Sequence, residues 1–475
     1  MSQVWRPATA GVIKEKNMNV YKYYVVYSLL TVLPLLSFSS CKGENKGNDV
    51  NNYLIRNEND FKRLLEKAEN IDYLKFEFCD TIPNEIVKFT NLKSISIINY
   101  NRKGIPLVLS KLKSLETIEF FGCNIQEIPK EISCLKKLRK ISFSSCKLTA
   151  FPSGLQNIES IEELNFTFDK ISAIPDDINT LSNLKVLTIT LADIQHISPN
   201  ISDLRKLEKL VIERSNLSIL PSEIGDLGSI KTLDLRDNKL CSIPKEIKKM
   251  KNLKELILTR NHISILPDAI ADLENLQDFD ISENNEFNHM PQDIGKLKSL
   301  QSLTIDNCSV NELPNSFSEL DSLKFLYLRN CKFTVLPKQL NKLKSLSNLS
   351  MHNNDLQGVL DFHGFEKLTN LDLSECKLKE IPKGIFQLIN LESLSLGDND
   401  IRIIPAELIQ LNNLQQLDFS ANKNLKISLE FAKKLKQNCK KLQTIELIGV
   451  TVDEKTRNKL SEIWGDKVVF EIGLD

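Results

Sequence analysis

Histidine is scarce in this chain of 475 residues, and the five present are His196, His262, His289, His352 and His363. None stands beside a cysteine or carboxylate in a catalytic spacing, and neither HExxH nor GxSxG occurs. The sixteen glycines never cluster into a loop that could cradle phosphate. Charge of either sign is not in excess, with 62 Lys plus Arg against 62 Asp plus Glu. That balance removes any general case for a nucleic-acid or anionic-membrane surface. Cys79, Cys123, Cys146, Cys308, Cys331 and Cys376 lie one or more steps of about 23 residues apart, and ligands so spaced on parallel strands cannot converge on one tetrahedral zinc. These absences predict a protein that is not an enzyme, with no cofactor and no metal, and that works through its surface.

Proline is also sparse, but its placement is ordered. Fourteen of the sixteen prolines, from Pro83 to Pro405, recur at steps of mostly 23 residues. One long step, Pro337 to Pro382, spans two periods with the middle proline replaced around Val359-Leu360, and only Pro7 and Pro34 stand outside. Such a period means an array of supersecondary units, each unable to bury its apolar side alone. In the unit from Leu233 to Leu253, Leu233 and Leu235 alternate with Asp234 and Arg236, the pattern of a short strand with one apolar face. Leu240, Ile243, Ile247, Met250 and Leu253 anchor the return segment. Each strand can pair only with its equivalents in neighbouring units, which predicts one long parallel sheet.

One position per unit carries a polar ladder. Of seventeen such positions, twelve are Asn or Cys: Cys79, Cys123, Cys146, Asn238, Asn261, Asn284, Cys308, Cys331, Asn354, Cys376, Asn399 and Asn422. A buried Asn there can donate to and accept from the backbone of adjacent turns, and Cys can replace it as a small weak donor. Tyr100, Ala192 and Val450 interrupt the ladder. On these residues the chain resembles the leucine-rich repeat proteins, in the 23-residue subtype with an L/I-P-x-x-I segment. That subtype is seen in bacterial envelope proteins and in Ras-group repeat proteins of eukaryotes, and the resemblance covers residues 71–450. The resemblance implies an α/β repeat solenoid, a horseshoe of about 17 repeats with the parallel sheet on its concave face.

The ends read as caps. Phe61, Leu64, Leu65 and Ala68 recur at helical spacing behind Asn59-Asp60, predicting an N-terminal cap helix over 59–70. Residues 451–475 read as an α/β cap, a helix from Asp453 to Trp464 stopped by Gly465 and followed by an edge strand over 468–472. Residues 1–40 read as a signal segment: an apolar run from Tyr23 to Leu36 follows Arg6, Lys14, Lys16 and Lys22. The small residues before Cys41 resemble a bacterial lipoprotein cleavage box, in which Cys41 becomes the lipidated N-terminus, and Met18 is an alternative start. Residues 41–58 read as a flexible tether. This predicts lipid anchoring in the bacterial cell envelope, at the outer membrane or cell surface, with plain secretion as the alternative. The ladder cysteines point parallel and are expected as free thiols.

With no catalytic constellation, function falls to side chains on the exposed strand face. Phe121, Phe168, Arg214, Arg236, Arg260, Phe325, Tyr327, Arg329 and His352 are the candidates, because aromatics interleaved with arginines compose binding hot spots. They predict a protein partner on the concave face and no nucleic acid; the oligomeric state is not legible. A carbohydrate receptor is the alternative, since the Phe325–Asp372 stretch mixes rings with carboxylates and amides. An intracellular scaffold is a third, if the N-terminal segment is not a signal.

Overall fold

The structure is a computed structural model that describes residues 53–77, 81–358 and 360–471. The signal segment, Cys41, the ladder residue Cys79 and the proline-replacing Val359 lie outside the described residues. From Leu54 to Val469 the chain builds one 19-stranded sheet in which every pairing is parallel. A two-stranded ribbon, Ala173–Ile174 with His196–Ile197, lies apart from it.

Register follows the sequence period. Leu210 pairs with Leu233, Leu233 with Leu256, and Leu256 with Phe279, so equivalent apolar residues stack in columns. Leu233, Leu235, Leu256 and Leu258 are fully buried. Towards the N-terminal end a column of the core turns aromatic: Phe120 and Phe143 lie 5.3 Å apart, as do Phe143 and Phe166, with ring planes within 14° and 8° of parallel. Such offset stacks add to the burial of each ring.

Each recurring proline starts a short 3₁₀ turn on the return segment. Pro244, with φ −66°, precedes Lys245–Lys249, and its carbonyl accepts from Ile247 N–H at 3.1 Å. The ring fixes φ where the turn begins and removes a donor that would have no partner there. Three residues on, Ile247 is fully buried and closes the unit. In the unit that lacks proline, Phe362 and Phe365 fill the space instead, with ring centroids 5.8 Å apart.

The N-terminal end differs from the sequence reading in two respects. Helix α1, Glu58–Leu65, is capped by Asn57, whose side chain accepts from Asn59 and Asp60 N–H, and not by Asn59-Asp60. The end of the expected tether belongs to the fold, because Leu54–Ile55 pairs with the strand Tyr73–Glu77 and Ile55 is buried. Ile55 covers the first strand, and Arg56 Nε holds Glu77 Oε2 at 2.8 Å. At the other end α2, Leu429–Asn438, and α3, Glu454–Trp464, are capped by Ser428 and Asp453. Trp464 is buried there, and Val468–Val469 adds the last strand to Thr444–Glu446.

Candidate functional site

The side chains of the exposed face are positioned by the corner where each strand ends. At the ladder position, Asn261 Nδ2 donates to Leu235 O at 3.0 Å and Leu258 O at 2.9 Å, and its Oδ1 accepts from Leu240 N–H at 2.9 Å. Asn238, Asn284, Asn354, Asn399 and Asn422 repeat this set on their own neighbours. The cysteines keep the donor half: Cys331 Sγ donates to Ile305 O at 3.0 Å and Cys376 Sγ to Met351 O at 3.1 Å. Cys308 does so more weakly, to Ile281 O at 3.5 Å. Burial pushes the Cys331 and Cys376 thiols up to about 12, so both remain protonated donors.

The residue before each ladder position is left-handed, with φ between 50° and 73° at every corner from Asn99 to Gly449. Only Gly122 and Gly449 are glycines there; elsewhere the ladder holds residues such as Phe168, Leu191, Arg214 and Arg260 in this conformation. The sequence pattern places Phe168, Arg214 and Arg260 among the outward strand residues. They stand instead at the corner, along the rim of the sheet, where Phe168 is 52% exposed.

Three outward columns lie between the buried ones. Phe325 belongs to the first, Tyr327 to the second, and Phe121, Arg236, Arg329 and His352 to the third. All four candidate arginines meet carboxylates of their own chain. Arg214 lies 3.8 Å from Asp237, and Arg260 bridges Glu283 at 2.7 Å and Asp237 at 3.5 Å. Arg236 Nε hydrogen-bonds Asp234 at 2.9 Å and lies 3.6 Å from Glu213. Burial first, and then the charge of Asp234, raises the Glu213 carboxyl above its ordinary range. Arg329 reaches Asp306 at 2.7 Å, and its guanidinium lies 5.1 Å from the centre of the Tyr327 ring. Asp306 is 1% exposed, and burial raises its carboxyl against the opposing pull of Arg329. Apart from Arg236–Asp234, which lies within one strand, these ion pairs span neighbouring repeats and hold the arginines in place.

His352 joins a polar network with the next strand. Its Nδ1 lies 2.8 Å from Ser374 Oγ, and its Nε2 lies 3.8 Å from Glu375. Ser374 Oγ donates to Asp372 Oδ1 at 2.5 Å, and Ser350 Oγ donates to Asp372 Oδ2 at 2.7 Å. Ser374 Oγ thus bridges the Asp372 carboxylate and the His352 ring. Phe325, 38% exposed, is in register with Asn348 on the adjacent strand. Among the described residues no group of three or more His, Cys, Asp or Glu could hold a metal ion, and no helix is long and apolar enough to cross a membrane.

A second ladder escapes the sequence reading. Asn91, Asn183, Asn252, Asn275, Asn390 and Asn413 each donate to a carbonyl 22 or 24 residues earlier, as Asn252 does to Gly228 O at 2.7 Å. Its signal is the Asn-Leu pair that recurs at the end of these return segments.

The leucine-rich repeat region model matches residues 74–200, 193–288 and 281–371, and the leucine rich repeat model matches 366–423. The chain belongs to the leucine-rich repeat family. Its long parallel sheet with short helical returns is the solenoid of that family. Among solved structures it is similar to a leucine-rich repeat protein of Leptospira interrogans, at 27% identity and a TM-score of 0.61, over 82% of this chain and 99% of that one. It is also similar in fold to the Arabidopsis receptor kinase HAESA, solved with the peptide hormone IDA and the co-receptor SERK1. That match has 22% identity and a TM-score of 0.57, over 86% of this chain and 80% of that one. A third is TLR13 in complex with ssRNA13, at 20% identity and a TM-score of 0.66, over 85% of this chain and 65% of that one. A comparison with curated proteins finds no match.

Proposed function

We propose that this leucine-rich repeat protein is a non-catalytic binder that recognises a protein partner on the concave, exposed face of its sheet. The observation that carries the reading is the preordered patch around Phe325, Tyr327 and Arg329. Arg329 is held by Asp306 and stacked near Tyr327, with the half-exposed Phe325 ring on the same strand. Rings fixed in this way lose little freedom on binding, which favours a hot spot. The ligands named for HAESA support a protein or peptide partner in kind.

Anchoring completes the proposal. The apolar run before Cys41 and the small residues flanking it support a lipoprotein of the bacterial envelope, tethered through lipidated Cys41. Palmitate labelling in a bacterial host tests this, with label expected in the native chain and absent from Cys41→Ala. Label in neither chain returns the protein to the secreted or intracellular alternatives.

One observation favours a carbohydrate receptor as the second reading. The Phe325 ring stands beside Asn348, with Asn370 and Asp372 on the following strand, a set able to stack on a sugar and bind its hydroxyls. A glycan array separates the two, since selective binding of one glycan class moves the assignment to carbohydrate.

A further inference from the structure

The charge balance of the whole chain hides a strong local imbalance. From Asp278 to Gly449 no lysine occupies any outward column or corner of the sheet, and the one arginine, Arg329, is engaged with Asp306. The same surface carries Asp280, Asp372, Glu375, Asp398, Asp418 and Glu446, none of which makes an ion pair with lysine or arginine among the described residues. The imidazole of His352 lies 3.8 Å from Glu375. The compensating lysines stand on the return segments, as in Lys245, Lys248, Lys249 and Lys251.

Three of these carboxylates are fixed by one local device. In the sequences Asp280-x-Ser282, Asp372-x-Ser374 and Asp418-x-Ser420, the aspartate Oδ1 accepts the serine N–H at 2.9, 3.0 and 2.8 Å. Each carboxylate is therefore held against the sheet, and ordering it on binding costs little. Room for Asp418 comes from the neighbouring column, where a Cβ on Gly397 would stand 2.7 Å from Asp418 Oδ2. The field also remains uncancelled inside the chain. Burial first, and then the charge of Asp418, raises the Glu446 carboxyl above its ordinary range.

Resting on the protein-partner reading above, we infer that this half of the exposed face docks a Lys- or Arg-rich segment of the partner. Complementary charge is the argument: fixed anions without cations of their own attract and orient a cationic chain. The strands from Asp280 to Glu446 are eight in number, and at about 4.8 Å per step they span roughly 34 Å. An extended segment of about ten residues covers that distance. Phe325 and Tyr327 lie within the strip, where ring faces add cation–π attraction for Lys or Arg.

The test uses the full chain and a fluorescent decalysine peptide, read by anisotropy at 20 mM and 200 mM salt, with decaglutamate as the anionic control. The face variant is Asp372→Asn, Glu375→Gln, Asp418→Asn and Glu446→Gln together; the control variant is Glu223→Gln, Glu246→Gln, Asp268→Asn and Glu407→Gln on return segments. Expected is binding of decalysine but not decaglutamate, weakened about tenfold by the higher salt. The face variant should lose a further tenfold or more, and the control less than twofold. Asp398→Asn alone, an exposed corner change, should weaken binding two- to threefold and keeps the test valid if the multiple variant misfolds. Equal losses in face and control variants, or no binding by the native chain, overturn the inference. So does an isolated native chain that self-associates through this face, because the occupant is then a second copy. A chain that ignores decalysine yet crosslinks a protein from position 327 loses this inference and keeps the protein-partner reading.

Discussion

Asp169 occupies the ladder position that Asn fills elsewhere, and replacing it by Asn should stabilise the protein at neutral and alkaline pH. Its Oδ1 does what an Asn oxygen does, accepting from Leu148 N–H at 3.0 Å. Its Oδ2, buried and without a hydrogen-bond partner, takes the place of the Asn nitrogen that donates to two or three carbonyls. Burial raises this carboxyl from 3.8 to about 6. At pH 8 Asp169 is ionised in both the folded and unfolded chain, and the fold carries the full penalty of a buried anion. As the pH falls through about 6 towards 3.8 the folded state takes up a proton first, and the penalty is relieved. Two units correspond to about 3 kcal/mol, so Asp169→Asn should gain about 1–3 kcal/mol at pH 8, with most of the gain gone near pH 4. Titratable neighbours are few: the Cys146 thiol faces the same corner, and its hydrogen bond with the Cys123 thiol, and then burial, keep it protonated. The assay is urea unfolding of both chains between pH 4 and 8, with hydrogen exchange of residues 140–190 to localise the change. A variant no more stable than the native chain at pH 8, or a gain independent of pH, would show that Asp169 carries no penalty of ionisation in the fold.

Two further outcomes follow from the same geometry. Asn261→Ala removes four hydrogen bonds at a buried corner and should cost roughly 1–3 kcal/mol, with faster exchange confined at first to the repeats on either side; uniform loosening along the chain would contradict the ladder. Arg329→Ala strands the buried Asp306 and should cost about 3 kcal/mol, most of it recovered by adding Asp306→Asn, whereas Tyr327→Ala should leave the unfolding midpoint nearly unchanged; additive effects of the Arg329 and Asp306 changes would show that the pair is not coupled.

The fold was legible because its information is periodic. Leu233 and Leu235, the proline before each return and the Asn or Cys ladder repeat the same physical requirement in unit after unit, so the parallel sheet and its register follow from spacing. The second ladder was equally periodic, but Asn252 donates to a carbonyl 24 residues away, and asparagine in a return segment reads equally well as solvated. The left-handed corner left no compositional trace, because the ladder imposes it on Phe168, Leu191 and Arg214 alike. That is why Phe168 read as a strand residue. Most carboxylates that hold these arginines lie about 23 residues away on an adjacent strand, as Asp306 does from Arg329, and only Asp234 shares a strand with its partner, Arg236. Side chains that meet only after the repeats stack cannot be paired from one repeat.

The most direct test of the binding face places a photo-crosslinking residue at Tyr327 in one protein and at Lys248, on a return segment, in another. Both are irradiated on living cells of the native source. One discrete protein adduct is expected from position 327 and none from position 248. The reverse pattern, or the same adducts from both positions, would contradict recognition by the exposed face of the sheet.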